Sequence, residues 1–219
     1  MKKLVIFGNG LFSELVFSYF KYASDYEVEA FTAHSNFIEE PSFFDLPICP
    51  FESIEKIYPP KNCSMFIAMG YRGLNKIRAS IYLEAKEKGY ELVSYVHPNV
   101  QVWPNNIIGE NTFIFEDNTI QPYVKIGNNT ILWSGNHIGH HSTIGNHCFI
   151  SSHVVVSGNC KVGDYSFLGV NSTLRDSISI GKSCIIGAGC LIMKSTNENE
   201  LFIRKGSMPD SRKTYEIKF

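Results

Sequence analysis

The 219-residue sequence predicts two unlike units: an α/β domain over residues 1–95 and a parallel β-helix over residues 96–197, followed by a tail from 198 to 219. Three observations carry that expectation. Short apolar runs alternate with helical stretches in the first half, a strict period of six runs through the second, and small or turn-forming residues keep fixed places within that period.

The first half opens on KKLVIFGNG, an apolar strand running into a Gly-x-Gly turn, and continues with a helix over ELVFSYFKYA. A second strand reads VEAF and a third MFIAMG; a helix follows from Asn75 to Lys88, then a strand over ELVSYV. Strand and helix in alternation imply a small Rossmann-like sheet. Its glycine turn suits a phosphate, because backbone N–H groups and the start of a helix converge there. The turn fits a dinucleotide fingerprint poorly. Ser13 stands at the third glycine, and no Asp or Glu closes the second strand to hold a ribose, so a nicotinamide-dependent oxidoreductase is the weaker reading. A turn that serves packing alone is the plain alternative.

From Ile108 the second half divides into fifteen consecutive sixes, each opening on Ile, Leu or Val without an insertion: IGENTF, IFEDNT, IQPYVK, IGNNTI and onward to IMKSTN. Val96 and Val102 extend the frame upstream. Six is neither a helical period nor a strand alternation. It suits a parallel β-helix, in which each six makes one flat side and a corner. The leading aliphatic points inward and the fifth residue, mostly small or β-branched, fills the tighter inner place. Cys148, Cys160, Cys184 and Cys190 fall on that fifth place, which makes them core fillers rather than nucleophiles or zinc ligands. Glycine often takes the second place, and Asn or Gly the fourth, where a corner can need φ > 0.

Composition narrows the function. A net charge of −1 gives no electrostatic case for nucleic acid or an anionic membrane. The start MKKLVIFGNGLF looks like a signal peptide, but Gly8-Asn9-Gly10 breaks the apolar run and no small-residue cleavage site follows. No run is long enough to span a bilayer, so a cytoplasmic protein is expected. The cysteines form no CxxC pair.

The run of sixes resembles the hexapeptide repeat of the left-handed β-helix acyltransferases. That resemblance implies three sixes per triangular coil of eighteen residues. It also decides how to read NHIGHHSTIGNHCFISSH, residues 136–153, which holds five of the seven histidines. On such a coil His141, His147 and His153 take the fourth place of successive sixes, at three corners roughly 15–20 Å apart at strand rise. One subunit cannot gather them round a metal, and no pair has the five-residue spacing of the β-helix carbonic anhydrases. His137, His147 and His153 read as surface or subunit-interface residues. His140 differs. Gly158, eighteen residues on, stacks over it, and a glycine there leaves room for the ring and presents an open N–H. A base beside a donor for a developing oxyanion is what acyl transfer needs.

A Rossmann-like domain joined to this β-helix resembles the sialic acid O-acetyltransferase family, which includes N-acetyltransferases of nucleotide-linked amino sugars. The resemblance implies acetyl-CoA as co-substrate without a metal, a homotrimer, and a nucleotide-linked amino sugar as acceptor, with a 4-amino-4,6-dideoxy sugar favoured by GYRGLN. Carried over residue by residue, Gly8, Gly10, Leu11, Phe12 and His34 line the nucleotide site, and Gly70, Tyr71 and Asn75 lie near the sugar. His140 and His141 are the catalytic pair, Gly158 is the oxyanion donor, and Ser152, Val170 and Ala188 follow the pantetheine arm. Three departures stand out: GNGLFS replaces a fuller glycine turn, His34 stands where Asp is frequent, and His141 stands where an acid commonly follows the base. The alternatives are O-acetylation of a sialic-acid-like sugar and a non-catalytic β-helix used for binding or trimerisation.

Overall fold

The computed structural model describes residues 2–217. Its first unit is a five-stranded sheet in the order β3-β4-β2-β1-β5, built from β1 (Lys2–Phe7), β2 (Tyr26–Ala33), β3 (Ser42–Phe43), β4 (Leu46–Pro50) and β5 (Ser64–Ile67). All neighbours are parallel except the β3–β4 hairpin. Three helices cover it: α1 (Leu11–Ala23), the short α2 (Ile54–Ile57) and α3 (Lys76–Glu87). β1 is buried from Leu4 to Phe7, with helices on both sides, so it reads as a continuous apolar run.

The second unit is a parallel β-helix of two-residue strands stacked into three sheets, in which residues from Tyr95 to Ile192 pair at a spacing of eighteen. The first face carries Ile107–Ile108, Lys125–Ile126, Thr143–Ile144, Lys161–Val162 and Ser179–Ile180. The second face begins with β6 (Tyr95–Val96) and continues through Phe113–Ile114, Ile131–Leu132, Phe149–Ile150, Phe167–Leu168 and Ile185–Ile186. The third carries Thr119–Ile120, His137–Ile138, Val155–Val156, Thr173–Leu174 and Leu191–Ile192. From Ile114 to Ile192 every leading aliphatic is buried, and Cys148, Cys160, Cys184 and Cys190 pack among them. The fourth residue of every six, from Asn111 to Gly189, has φ between 50° and 75°. Only glycine, Asn, Asp and other short polar residues reach that region cheaply. Tyr123 and Tyr165 are held there by stacking on His141 and His147, at 4.6 and 4.8 Å between ring centres.

Two elements differ from expectation. ELVSYV is not one strand: Leu92 bridges to Met65 of the first sheet, while Tyr95–Val96 pairs with Phe113–Ile114 of the β-helix. Leu201–Phe202, within the expected tail, pairs with Ile185–Ile186 and lengthens the second face.

The units share a core. Phe20, Phe66, Tyr95, Phe113, Phe115, Ile131 and Phe149 form one buried cluster, which seats the α/β domain on the second face. Polar contacts fix it to the edge between the first and second faces. The Ile67 N–H donates to Asn111 Oδ1 at 2.8 Å, and fully buried Arg78 donates to the carbonyls of Asn129 and Cys148 at 3.2 and 3.0 Å. Arg78 also reaches Gly70 O at 2.8 Å. Burial without a carboxylate lowers its pKa from 12.5 to about 9, and the ring of carbonyls replaces lost water.

Candidate active site

His140 and His141 lie exposed at the edge between the third and first faces. The His140 N–H donates to Gln121 Oε1 at 2.8 Å, and its carbonyl accepts the Asn159 N–H at 2.8 Å, so the coils before and after clamp its backbone. Its ring lies over Gly158. A Cβ added at 158 would stand 2.7 Å from His140 Nε2, closer than any side chain tolerates. The Gly158 N–H meets no acceptor among the described residues. Gly139 contributes too, since a Cβ there would sit 2.5 Å from Gly158 N and cover it. Nδ1 of His140 is 3.1 Å from Nδ1 of His141. The Asn159 amide turns away to Ser177 Oγ at 3.2 Å and does not orient the ring.

The glycine turn frames a cavity of about 400 Å³ that brings together Gly8, Gly10, Phe12, His34 and Gly70. Gly8 has φ 124°, and a Cβ there would meet Ser13 Oγ and, at 2.8 Å, Ala68 O. Hence the turn needs glycine for its close approach to β5. Ser13, at the third place of the motif, is not an anomaly: its hydroxyl donates to Ala68 O at 3.2 Å and ties helix to strand. The N–H groups of Gly10, Leu11 and Phe12 donate to no group among the described residues, so the positive end of α1 is open. Arg72 adds a cation to the wall, and Asn9 closes a corner by donating to Phe37 O at 2.7 Å. His34 is held at Nδ1 by Glu52 at 3.1 Å and flanked by Phe7 and Phe51. Glu52 is lowered to about 2 by hydrogen bonds from its own N–H and from Ser35.

Other expected residues lie elsewhere. Leu11 is 86 % exposed and borders a separate groove with Leu15 and Trp133. Tyr71 packs on Phe149 and Phe167 at 4.8 and 4.9 Å. Asn75 is fully buried, precedes α3 with φ 65°, and donates to Tyr165 O at 3.2 Å. Tyr71 and Asn75 therefore belong to the domain junction rather than to the cavity wall. His147 is also at that junction and half-buried: it accepts from Asn129 Nδ2 at 2.9 Å and meets Tyr82 edge-on at 5.4 Å. Ser152, Val170 and Ala188 stack on the edge between the second and third faces, so one chain does not bring them to His140.

Sequence reasoning missed Gly139, Gln121, Arg72 and Arg78. The position of Tyr123, eighteen residues before His141, was legible, but not its stacking; Gln121, Arg72 and Arg78 depend on side-chain direction, and Gly139 on the close approach of Gly158 N. All six cysteines are buried, and burial pushes the Cys148 thiol up to about 12. Among the described residues no three His, Cys, Asp or Glu side chains gather as a metal site, and no helix is long and apolar enough to cross a membrane.

Residues 123–158 and 159–194 match the family described as bacterial transferase hexapeptide (six repeats). No curated protein matches the chain. Among solved structures, the acetyltransferase domain of PglB from Neisseria gonorrhoeae is similar at 21% identity and TM-score 0.81, covering 92% of this chain and 96% of that one. PerB from Caulobacter crescentus, in complex with CoA and GDP-perosamine, is similar at 24% identity and TM-score 0.81, covering 91% and 92%. WeeI from Acinetobacter baumannii is similar at 17% identity and TM-score 0.77, covering 90% and 94%. These likenesses show the fold, a Rossmann-like domain followed by a left-handed parallel β-helix.

Proposed function

We propose that the protein is an acetyl-CoA-dependent N-acetyltransferase acting on the amine of a nucleotide-linked sugar, with a 4-amino-4,6-dideoxy sugar favoured. One observation carries the reading: His140 Nε2 lies over Gly158, whose N–H meets no acceptor among the described residues. The cavity beside the open end of α1 supplies a place for a nucleotide diphosphate, and Arg72 would neutralise part of its charge. The solved relative holding CoA and GDP-perosamine supports the same pair of substrates. Sugar nucleotides and acetyl-CoA as substrates fit a cytoplasmic location.

The chemistry follows from the geometry. The sugar amine attacks the thioester carbonyl, and Gly158 N–H donates to the oxyanion as the C–N bond forms. His140 Nε2 takes one proton from the nitrogen as that bond develops. The C–S bond breaks, the proton passes to the departing thiolate, and the amide and free CoA thiol remain. Six buried cysteines offer no acyl acceptor, so transfer is direct.

The arrangement favours an oligomer. The α/β domain covers the second face, and His140 lies on the opposite edge of the same prism. The edge of Ser152, Val170 and Ala188 is a third, separate place. A site using all three must be built by more than one chain, and a homotrimer closes such head-to-tail contacts. Exposed Val155, Leu191 and Met193 give the third face apolar surface to bury there.

The test is thiol release from acetyl-CoA against UDP-, dTDP- and GDP-linked sugars, each as amine and as hydroxyl counterpart. Release with an amino-sugar nucleotide and little with its hydroxyl counterpart is expected. Turnover with free sialic acid alone would move the assignment to O-acetylation, and no turnover together with no CoA binding would leave a non-catalytic module.

A further inference from the structure

We propose that His141 is the positioning residue that makes His140 a base, by accepting the proton on His140 Nδ1, and that Tyr123 holds His141 in place. This rests on the acetyl-transfer reading above. The two Nδ1 atoms are 3.1 Å apart with their rings nearly perpendicular at 84°. Only one proton fits between them. Were it on His141, His140 would keep its own proton on Nε2 and turn a donor towards Gly158. With the proton on His140 Nδ1, the Nε2 lone pair is bare where the amine must lose its proton. Only the second arrangement is a base.

Tyr123, one coil earlier, stacks on His141 at 4.6 Å and 23° and fixes the plane of its ring. Among the described residues no other group hydrogen-bonds His140 Nδ1. Gln121 takes the backbone N–H of His140, the Asn159 amide is turned to Ser177, and Asp176, the acid further up that edge, lies beside Arg175 at 3.8 Å. His141 thus fills by position the place of an orienting carboxylate, without its charge. When His140 takes a proton on Nε2, the pair passes from neutral to +1, and the Nδ1–H stays directed at His141. A proton gained by His141 instead reverses the bond and sends the His140 proton to Nε2, which switches the base off.

Three substitutions separate this role from a packing role. Asn at 141 places Oδ1 where His141 has Nδ1 and suits φ 60°; Asp places a charged oxygen there; Ala places nothing. His141→Ala should lower kcat roughly 10–100-fold with little change in KM, and His141→Asn should recover at least about tenfold of that loss. The acidic limb of kcat/KM should lie at higher pH in His141→Asp than in His141→Asn, because a carboxylate favours the imidazolium. Tyr123→Ala should lower kcat and Tyr123→Phe, which keeps the stack, should restore it. Nitrogen NMR of the unmodified protein should show His140 protonated at Nδ1 and bare at Nε2. A kcat in His141→Ala equal to that of the parent, Asn no better than Ala, or a proton on Nε2 would overturn the proposal. Failure of the parent protein to release thiol from acetyl-CoA would instead overturn the acetyl-transfer reading, and the NMR result would still decide the tautomer.

Discussion

At the scale of single residues, the proposed site depends on two glycines and one ring. His140→Asn keeps a polar side chain but removes the nitrogen over Gly158, and should lower kcat roughly 10²–10⁴-fold while KM stays near its starting value. Gly158→Ala tests the same contact from the other side. Its Cβ would stand 2.7 Å from His140 Nε2, so the ring must move off the N–H it shares the site with. We expect kcat to fall roughly a hundredfold, comparable to the loss of one oxyanion donor. His153→Ala, on another edge, should leave turnover within about twofold. Equal losses at 140 and 153 would mean that the eighteen-residue stacking places the site wrongly. The stacking of Gly158 against His140 was legible in the sequence because a repeat without insertions fixes which residue lies over which. The part played by Tyr123 was not, because a stack between two corner side chains depends on rotamers that spacing alone does not set.

Among elements, the edge between the first and second faces joins the two units. Asn111 Nδ2 donates to Asn129 Oδ1 at 2.8 Å, and Asn129 Nδ2 donates to His147 at 2.9 Å, so one ladder crosses three coils. Burial, and next the charge of Arg78, lower His147 from 6.5 to about 4. The folded chain therefore prefers neutral His147, and the sign follows. The contribution is full above pH 6.5, fades as acid protonates the unfolded chain, and is gone by about pH 4. Partial exposure limits it to about 1–2 kcal/mol. Urea midpoints should fall between pH 7 and pH 4.5, and His147→Asn, which keeps an acceptor at that corner, should flatten the fall. An unchanged slope in the variant would mean that His147 is not the group responsible. Arg78→Met should cost about 3 kcal/mol by leaving buried carbonyls without a donor. The β-helix was legible because its inward and corner positions repeat. The β3–β4 hairpin and the division of ELVSYV were not, because two-residue strands carry no periodicity and the segment changes sheets between Leu92 and Tyr95.

At the scale of the whole molecule, the cavity lies on the α/β domain that is seated on the second face, while His140 lies on the opposite edge of the prism, which is why the proposed site is shared between subunits. Light scattering should give three times the chain mass; a single chain mass independent of concentration would contradict this. Mixed assemblies test the shared site most directly. One chain would carry His140→Ala and the other Gly70→Trp, which plugs the cavity from a position whose Cβ meets nothing within 4 Å. Each variant alone should be nearly inactive. If every site joins the cavity of one subunit to His140 of the next, random mixing in equal amounts restores about a quarter of the sites and thiol release with the amino-sugar nucleotide returns to that level. If each chain instead holds a complete site of its own, the mixture would stay as inactive as its parts, and that result would contradict an active site built between subunits.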